Sequence, residues 1–75
     1  MSKLPSLTAR QLFKALNRLG FVKIRQEGGH AFFRHPDGRT TVIPIHSRET
    51  IDRGLLNKII KKDLSVDREE FLRSL

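Results

Sequence analysis

Residues 28–46 read Gly-Gly-His-Ala-Phe-Phe-Arg-His-Pro-Asp-Gly-Arg-Thr-Thr-Val-Ile-Pro-Ile-His and gather all three histidines, His30, His35 and His46, beside Arg34 and Arg39. Histidine is the side chain whose unperturbed pKa lies nearest neutrality, so it both takes and gives protons under physiological conditions. Arginine supplies fixed positive charge and a planar fork that matches phosphate oxygens. Together they point to chemistry on a phosphodiester. RNA is cut without a metal when a base removes the 2′-hydroxyl proton. The freed oxygen attacks the adjacent phosphorus, and an acid protonates the departing 5′-oxygen. DNA lacks that hydroxyl, so the mechanism selects RNA. A positioned histidine is worth about 10²–10⁴-fold in such a reaction, and arginines stabilise the charge that builds on the phosphoryl oxygens.

Each candidate has a plainer reading beside the chemical one. His30 follows Gly28 and Gly29, which allow a nucleic-acid backbone to come close; the plain alternative is a glycine turn before a surface histidine. His35 precedes Pro-Asp-Gly and reads most simply as a turn residue. His46 closes an apolar run, as a second proton carrier or as a cap on the following loop. Arg34 and Arg39 are candidate phosphate ligands, or charges that keep a strand soluble. Phe32 is a stacking platform for an unpaired base or an ordinary core aromatic. No metal or other cofactor is expected, because cysteine is absent and no helical His-x-x-x-His pair occurs.

The chain of 75 residues holds one domain, 1–75, with residues 1–7 as a loose lead-in. Fifteen Lys and Arg against eight Asp and Glu give a formal net charge of +7, which favours a polyanionic partner. RNA, DNA, an anionic membrane and an acidic protein all fit that charge. No apolar run approaches the roughly 20 residues that span a bilayer, and no stretch looks like a basic amphipathic membrane helix. Nucleic acid therefore leads. The N-terminus lacks the apolar core of a secretory signal, and zero cysteines suit a reducing compartment, so a cytoplasmic location is expected.

The elements that must position these residues follow from periodicity. Thr8 and Gln11 form a capping-box pair, Leu12, Phe13, Leu16 and Leu19 recur at helical spacing, and Gly20 suits a C-terminal cap. A helix is predicted over 8–19. Val22 and Ile24 alternate with Lys23 and Arg25, predicting a half-buried strand at 21–26. Residues 30–35 and 40–46 read as two more strands, joined by Pro36-Asp37-Gly38-Arg39. Proline at the second turn position and glycine after it favour a three-residue loop with a bulge. In that register His35 faces Arg39, Phe33 faces Thr41, Ala31 faces Ile43, and His30 faces Pro44. Ala31, Phe33, Ile43 and Ile45 then share an apolar face. His30, Phe32, Arg34, Val42 and His46 share the other, with His30 and His46 diagonal neighbours about 7–8 Å apart. A one-residue slip would separate them.

Asp52 caps a second predicted helix at 53–62, with Leu55, Leu56, Ile59 and Ile60 in one stripe. A break is expected at 63–65, and Ser65 is the expected cap of a last helix over 66–74. The fold class is α+β, in the order α-β-β-β-α-α: a three-stranded antiparallel sheet with helices on one face and the other face free for a ligand.

Leu19-Gly20-Phe21, Gly28-Gly29-His30, His35-Pro36-Asp37-Gly38-Arg39, Val42-Ile43-Pro44-Ile45-His46, and Gly54-Leu55-Leu56 with Ile59-Ile60 occur in an order and spacing that resembles the HicA (YcfA-like) toxins of toxin–antitoxin pairs. The resemblance runs from the first helix to residue 64. It implies a double-stranded-RNA-binding-like fold and a metal-independent endoribonuclease that cuts mRNA and arrests translation. It makes His30 the catalytic histidine and implies a HicB-type antitoxin, typically more acidic, that covers the active site. Gly28-Gly29 stands where the family more often has Gly-Ser, so no serine hydroxyl contributes here. The alternative from another class is a non-catalytic RNA-binding module on the same fold. Such a module favours lysines at a helix N-terminus, whereas Lys61 and Lys62 sit near a C-terminus. A third reading is a small adaptor for an acidic protein.

Overall fold

Helix α1 (Ala9–Arg18) starts where the sequence says it should. The Thr8 side chain accepts from the Gln11 amide, and the Gln11 side chain accepts from the Thr8 amide, so two otherwise orphaned donors are satisfied together. At its other end Gly20 takes φ +98°. There the Phe21 amide donates to the Leu16 carbonyl at 2.9 Å and the Gly20 amide to Asn17 at 3.1 Å, the pair of bonds that ends a helix at a left-handed glycine. The computed structural model describes residues 4–45 and 49–75.

Three antiparallel strands follow in the order β1 (Val22–Glu27), β2 (His30–Arg34) and β3 (Thr40–Pro44). Then come α2 (Arg53–Lys58), continued by a π-helical turn over Ile59–Leu64, and α3 (Arg68–Arg73). The architecture is α+β, an open sheet whose one face is covered by the helices. Leu12, Ala15 and Leu16 of α1 meet Ala31, Phe33 and Ile43 of the sheet and Leu56, Ile59, Ile60, Leu64 and Phe71 of the C-terminal helices. Each fully buried Leu, Ile or Phe contributes about 1.5–3 kcal/mol. Exposed ion pairs are worth about 0–1 kcal/mol, so this core, and not the many surface charges, holds the fold.

The β2–β3 register is the one the Pro-Asp-Gly-Arg turn predicts: His30 pairs with Pro44, Ala31 with Ile43, Phe33 with Thr41, and the His35 amide reaches the Arg39 carbonyl at 2.8 Å. Strand β1 departs from expectation. It is not half-buried but exposed along its length, with Val22 at 58% and Ile24 at 55%. Phe21 already occupies the core position (1% exposed), and alternation from there turns Val22 outward and Lys23 toward the helices, its Nζ 5.9 Å from the Phe13 ring. The ladder shifts between Lys23 and Arg25, leaving Ile24 as an inserted residue.

Three further differences have clear causes. Residues 4–7 are anchored and not loose, because Leu4 and Leu7 are buried and the Ile51 amide donates to the Leu7 carbonyl at 2.6 Å; residues 1–3 lie outside the described residues. The second helix runs on to Leu64 because its wide last turn keeps Leu64 in the core beside Ile59 and Ile60. Ser65 is left-handed (φ 54°) and ends that turn, so the cap of α3 is Asp67, whose carboxylate accepts from the Glu70 amide at 2.8 Å.

Candidate nucleic-acid interface

The uncovered face of the sheet is built from two turns and one register. Gly28 (φ +55°) and Gly29 close a two-residue hairpin between β1 and β2, which sets Glu27 directly opposite His30 and Arg25 opposite Phe32. Continuing along β2, Arg34 pairs with Val22 on one side and Thr40 on the other. His30, Phe32 and Arg34 alternate with the buried Ala31 and Phe33, so all three belong to the free face, as the sequence pattern predicts. Val42, 40% exposed, lies across from Phe32 on β3.

His30 is exposed, and among the described residues no hydrogen bond or ion pair holds its ring. The Gly29 carbonyl just before it accepts from the Ile45 amide at 2.6 Å, which fixes the backbone that carries the imidazole while leaving the side chain free. Phe32 is half-buried and stands outside the core cluster. Its ring carries the Arg25 guanidinium, with Cζ 4.3 Å from the ring centroid. A cation over an aromatic face at that range is worth about 0.5–1 kcal/mol where exposed. Arg25 Nε also lies 3.4 Å from Glu27 Oε1. Arg25, Glu27, His30, Phe32 and Arg34 therefore share one surface.

Arg39 and His35 are employed elsewhere. The Arg39 side chain pairs with Asp37 (Nε to Oδ2, 2.8 Å) and donates through Nη1 to the Leu64 carbonyl at the end of the π turn. Its guanidinium also lies over Phe21, 5.2 Å from the centroid. His35 Nδ1 accepts from the Asp37 amide at 3.1 Å, and its ring meets Phe21 edge-on, centroids 5.1 Å apart. The Asp37 carboxyl is held below its ordinary value of 3.8, first by the Arg39 amide it accepts from, then by the Arg39 guanidinium and by His35. Thr41 adds a hydrogen bond to Asp63 at 2.9 Å. This end of the sheet is a clasp that ties the β2–β3 turn to the helices.

Of the residues singled out by sequence, the fold thus brings His30, Phe32, Arg34, Gly28 and Gly29 together and sets Arg39 apart from them. His46 lies outside the described residues. Sequence reasoning passed over Arg25 and Glu27, although a signal existed: a two-residue glycine turn dictates which side chains of β1 stand opposite His30 and Phe32. Among the described residues, no helix is long and apolar enough to cross a membrane, and no group of three His, Asp or Glu side chains is placed to hold a metal ion.

A family model described as HicA toxin of bacterial toxin–antitoxin matches residues 9–63, from the first residue of α1 into the π turn. No curated protein matches the chain.

Proposed function

The chain belongs to the HicA toxin family of toxin–antitoxin systems, and from that premise we propose that it is an endoribonuclease that cuts mRNA in the cytoplasm and is neutralised by a HicB-type antitoxin laid over the open sheet face. The observation that carries this reading is the exposed, unheld imidazole of His30 on a face that also holds Arg34 and Phe32. A general base or acid must reach its substrate with a nitrogen to spare, and this histidine does.

His30 serves as base toward the ribose 2′-hydroxyl or as acid toward the leaving oxygen. The 2′-oxygen forms its bond to phosphorus as the bond to the 5′-oxygen breaks. One proton leaves the 2′-oxygen and one arrives on the 5′-oxygen, giving a 2′,3′-cyclic phosphate and a 5′-hydroxyl. His46 or water carries the second proton. Arg34, at the other end of β2, attracts a neighbouring phosphate of the strand, Phe32 stacks on an unpaired base, and Gly28-Gly29 let the RNA backbone approach. The nucleophile is supplied by the RNA itself, so the scheme needs no metal or other cofactor.

The test is incubation of the purified chain with single-stranded RNA in EDTA. Cleavage is expected to persist, to leave cyclic phosphate ends, and to vanish in His30→Ala. Cutting that survives this substitution unchanged removes His30 from its role. Binding without cutting, equal in wild type and variant, would instead identify a non-catalytic RNA-binding module.

A further inference from the structure

Of the three arginines in and around the sheet, Arg34 stands at the far end of β2 from His30 and Arg39 is spent on Asp37, the Leu64 carbonyl and the Phe21 face. Arg25 is differently placed. It lies opposite Phe32, two residues along β2 from His30, a span of about 7 Å at strand spacing. Its guanidinium rests on the Phe32 ring at 4.3 Å, and its Nε faces Glu27 Oε1 at 3.4 Å. The ring restrains one face of the fork and the carboxylate restrains the Nε edge. Nη1 and Nη2 make no hydrogen bond with another described residue, and the side chain is 58% exposed.

Building on the ribonuclease reading above, we propose that Arg25, braced by Phe32 and Glu27, is the arginine that binds the RNA phosphodiester beside His30, and that Arg39 has no part in that contact. A free arginine loses several rotors on gripping a phosphate. One already stacked and held at Nε loses fewer, and presents its two Nη donors as the bidentate pair that phosphate oxygens match. Phe32 accordingly supports Arg25 as well as serving a base.

The experiment measures binding of a labelled single-stranded RNA across a series of salt concentrations, in the His30→Ala background so that the RNA stays intact, with cleavage kinetics in parallel on chains that keep His30. Arg25→Ala is expected to weaken binding about tenfold and to lower the salt slope by about 0.7, the share of one phosphate contact on single strands. In cleavage the loss is expected mainly in KM. Arg25→Lys should restore the slope but only part of the affinity, since it returns the charge without the fork. Arg10→Ala, which removes the same charge from the exposed side of α1, is expected to leave the slope as it was. A wild-type slope and Kd in Arg25→Ala overturn this inference while leaving the ribonuclease standing. An unmodified chain that neither binds nor cuts RNA overturns both. The Arg25 side chain is 58% exposed and rests on Phe32 and Glu27, which lie outside the core cluster, so circular dichroism should show all these variants folded.

Discussion

One histidine opens β2 and another follows directly after its last residue, and the molecule treats them in opposite ways. His35 is half-buried, edge-on to Phe21, hydrogen-bonded at Nδ1, with Nε2 only 2.8 Å from where a Cβ on Gly20 would sit. His30, at the other end, projects from a two-residue glycine turn into solvent. A residue type known for proton transfer is thus used once as a wedge and once as a free imidazole. What decides between them is parity along the strand together with the neighbours each turn supplies. The Pro-Asp-Gly-Arg turn brings the Asp37 amide and carboxylate against its histidine's Nδ1, 3.1 and 3.0 Å away. The Gly-Gly turn brings no side chain at all.

Breaking each end separately should give opposite signatures. His30→Ala is expected to cost 10²-fold or more in RNA cleavage with the thermal midpoint nearly unchanged, because nothing in the fold leans on that ring. Next in size is Gly20→Ala. It forces a side chain into φ +98° and against His35 Nε2, so a loss of about 1–3 kcal/mol is expected. For a domain this small that lowers Tm by roughly 6–19 °C, read by thermal denaturation. His35→Ala should lose about 0.5–1.5 kcal/mol of ring contact and retain cleavage at temperatures where the protein is folded. Cleavage lost in the still-folded variant would make the two ends alike and sink the contrast.

The smallest effect concerns acid. Asp37 is held below its ordinary 3.8 by Arg39 and His35, so the stability it lends is complete above that value and fades as pH falls through its lowered one. The Tm gap between wild type and Asp37→Asn should therefore narrow on going from neutral pH to below pH 3.8. A gap independent of pH would mean the clasp does not depend on that charge.

Much of this contrast was legible in the residues themselves. The Thr8–Gln11 box, Gly20 and the Pro-Asp-Gly-Arg turn are local signals, each acting within a few residues, and α1 and the β2–β3 register follow from them. The free face holding His30, Phe32 and Arg34 comes from the same register. What the sequence hides is settled at longer range. Whether Phe21 or Val22 fills the core depends on where α1 lets go of the chain, and β1 adjusts by accommodating Ile24 outside the ladder. Arg39 looks like a phosphate ligand until the carbonyl of Leu64, remote in sequence, comes within its reach. The α2 stripe has a helical period that continues smoothly into a wider turn, so its end cannot be told from spacing alone.

The extra residue at Ile24 makes β1 a strand with two independent halves. Upstream of it, Phe21 and Lys23 are phased by the helix; downstream, Arg25 and Glu27 are phased by the glycine turn. Drift in one half leaves the other in step. The residues of the uncovered face are therefore open to revision without renegotiating the interior, and a lineage under pressure to change what that face meets has a place to do so.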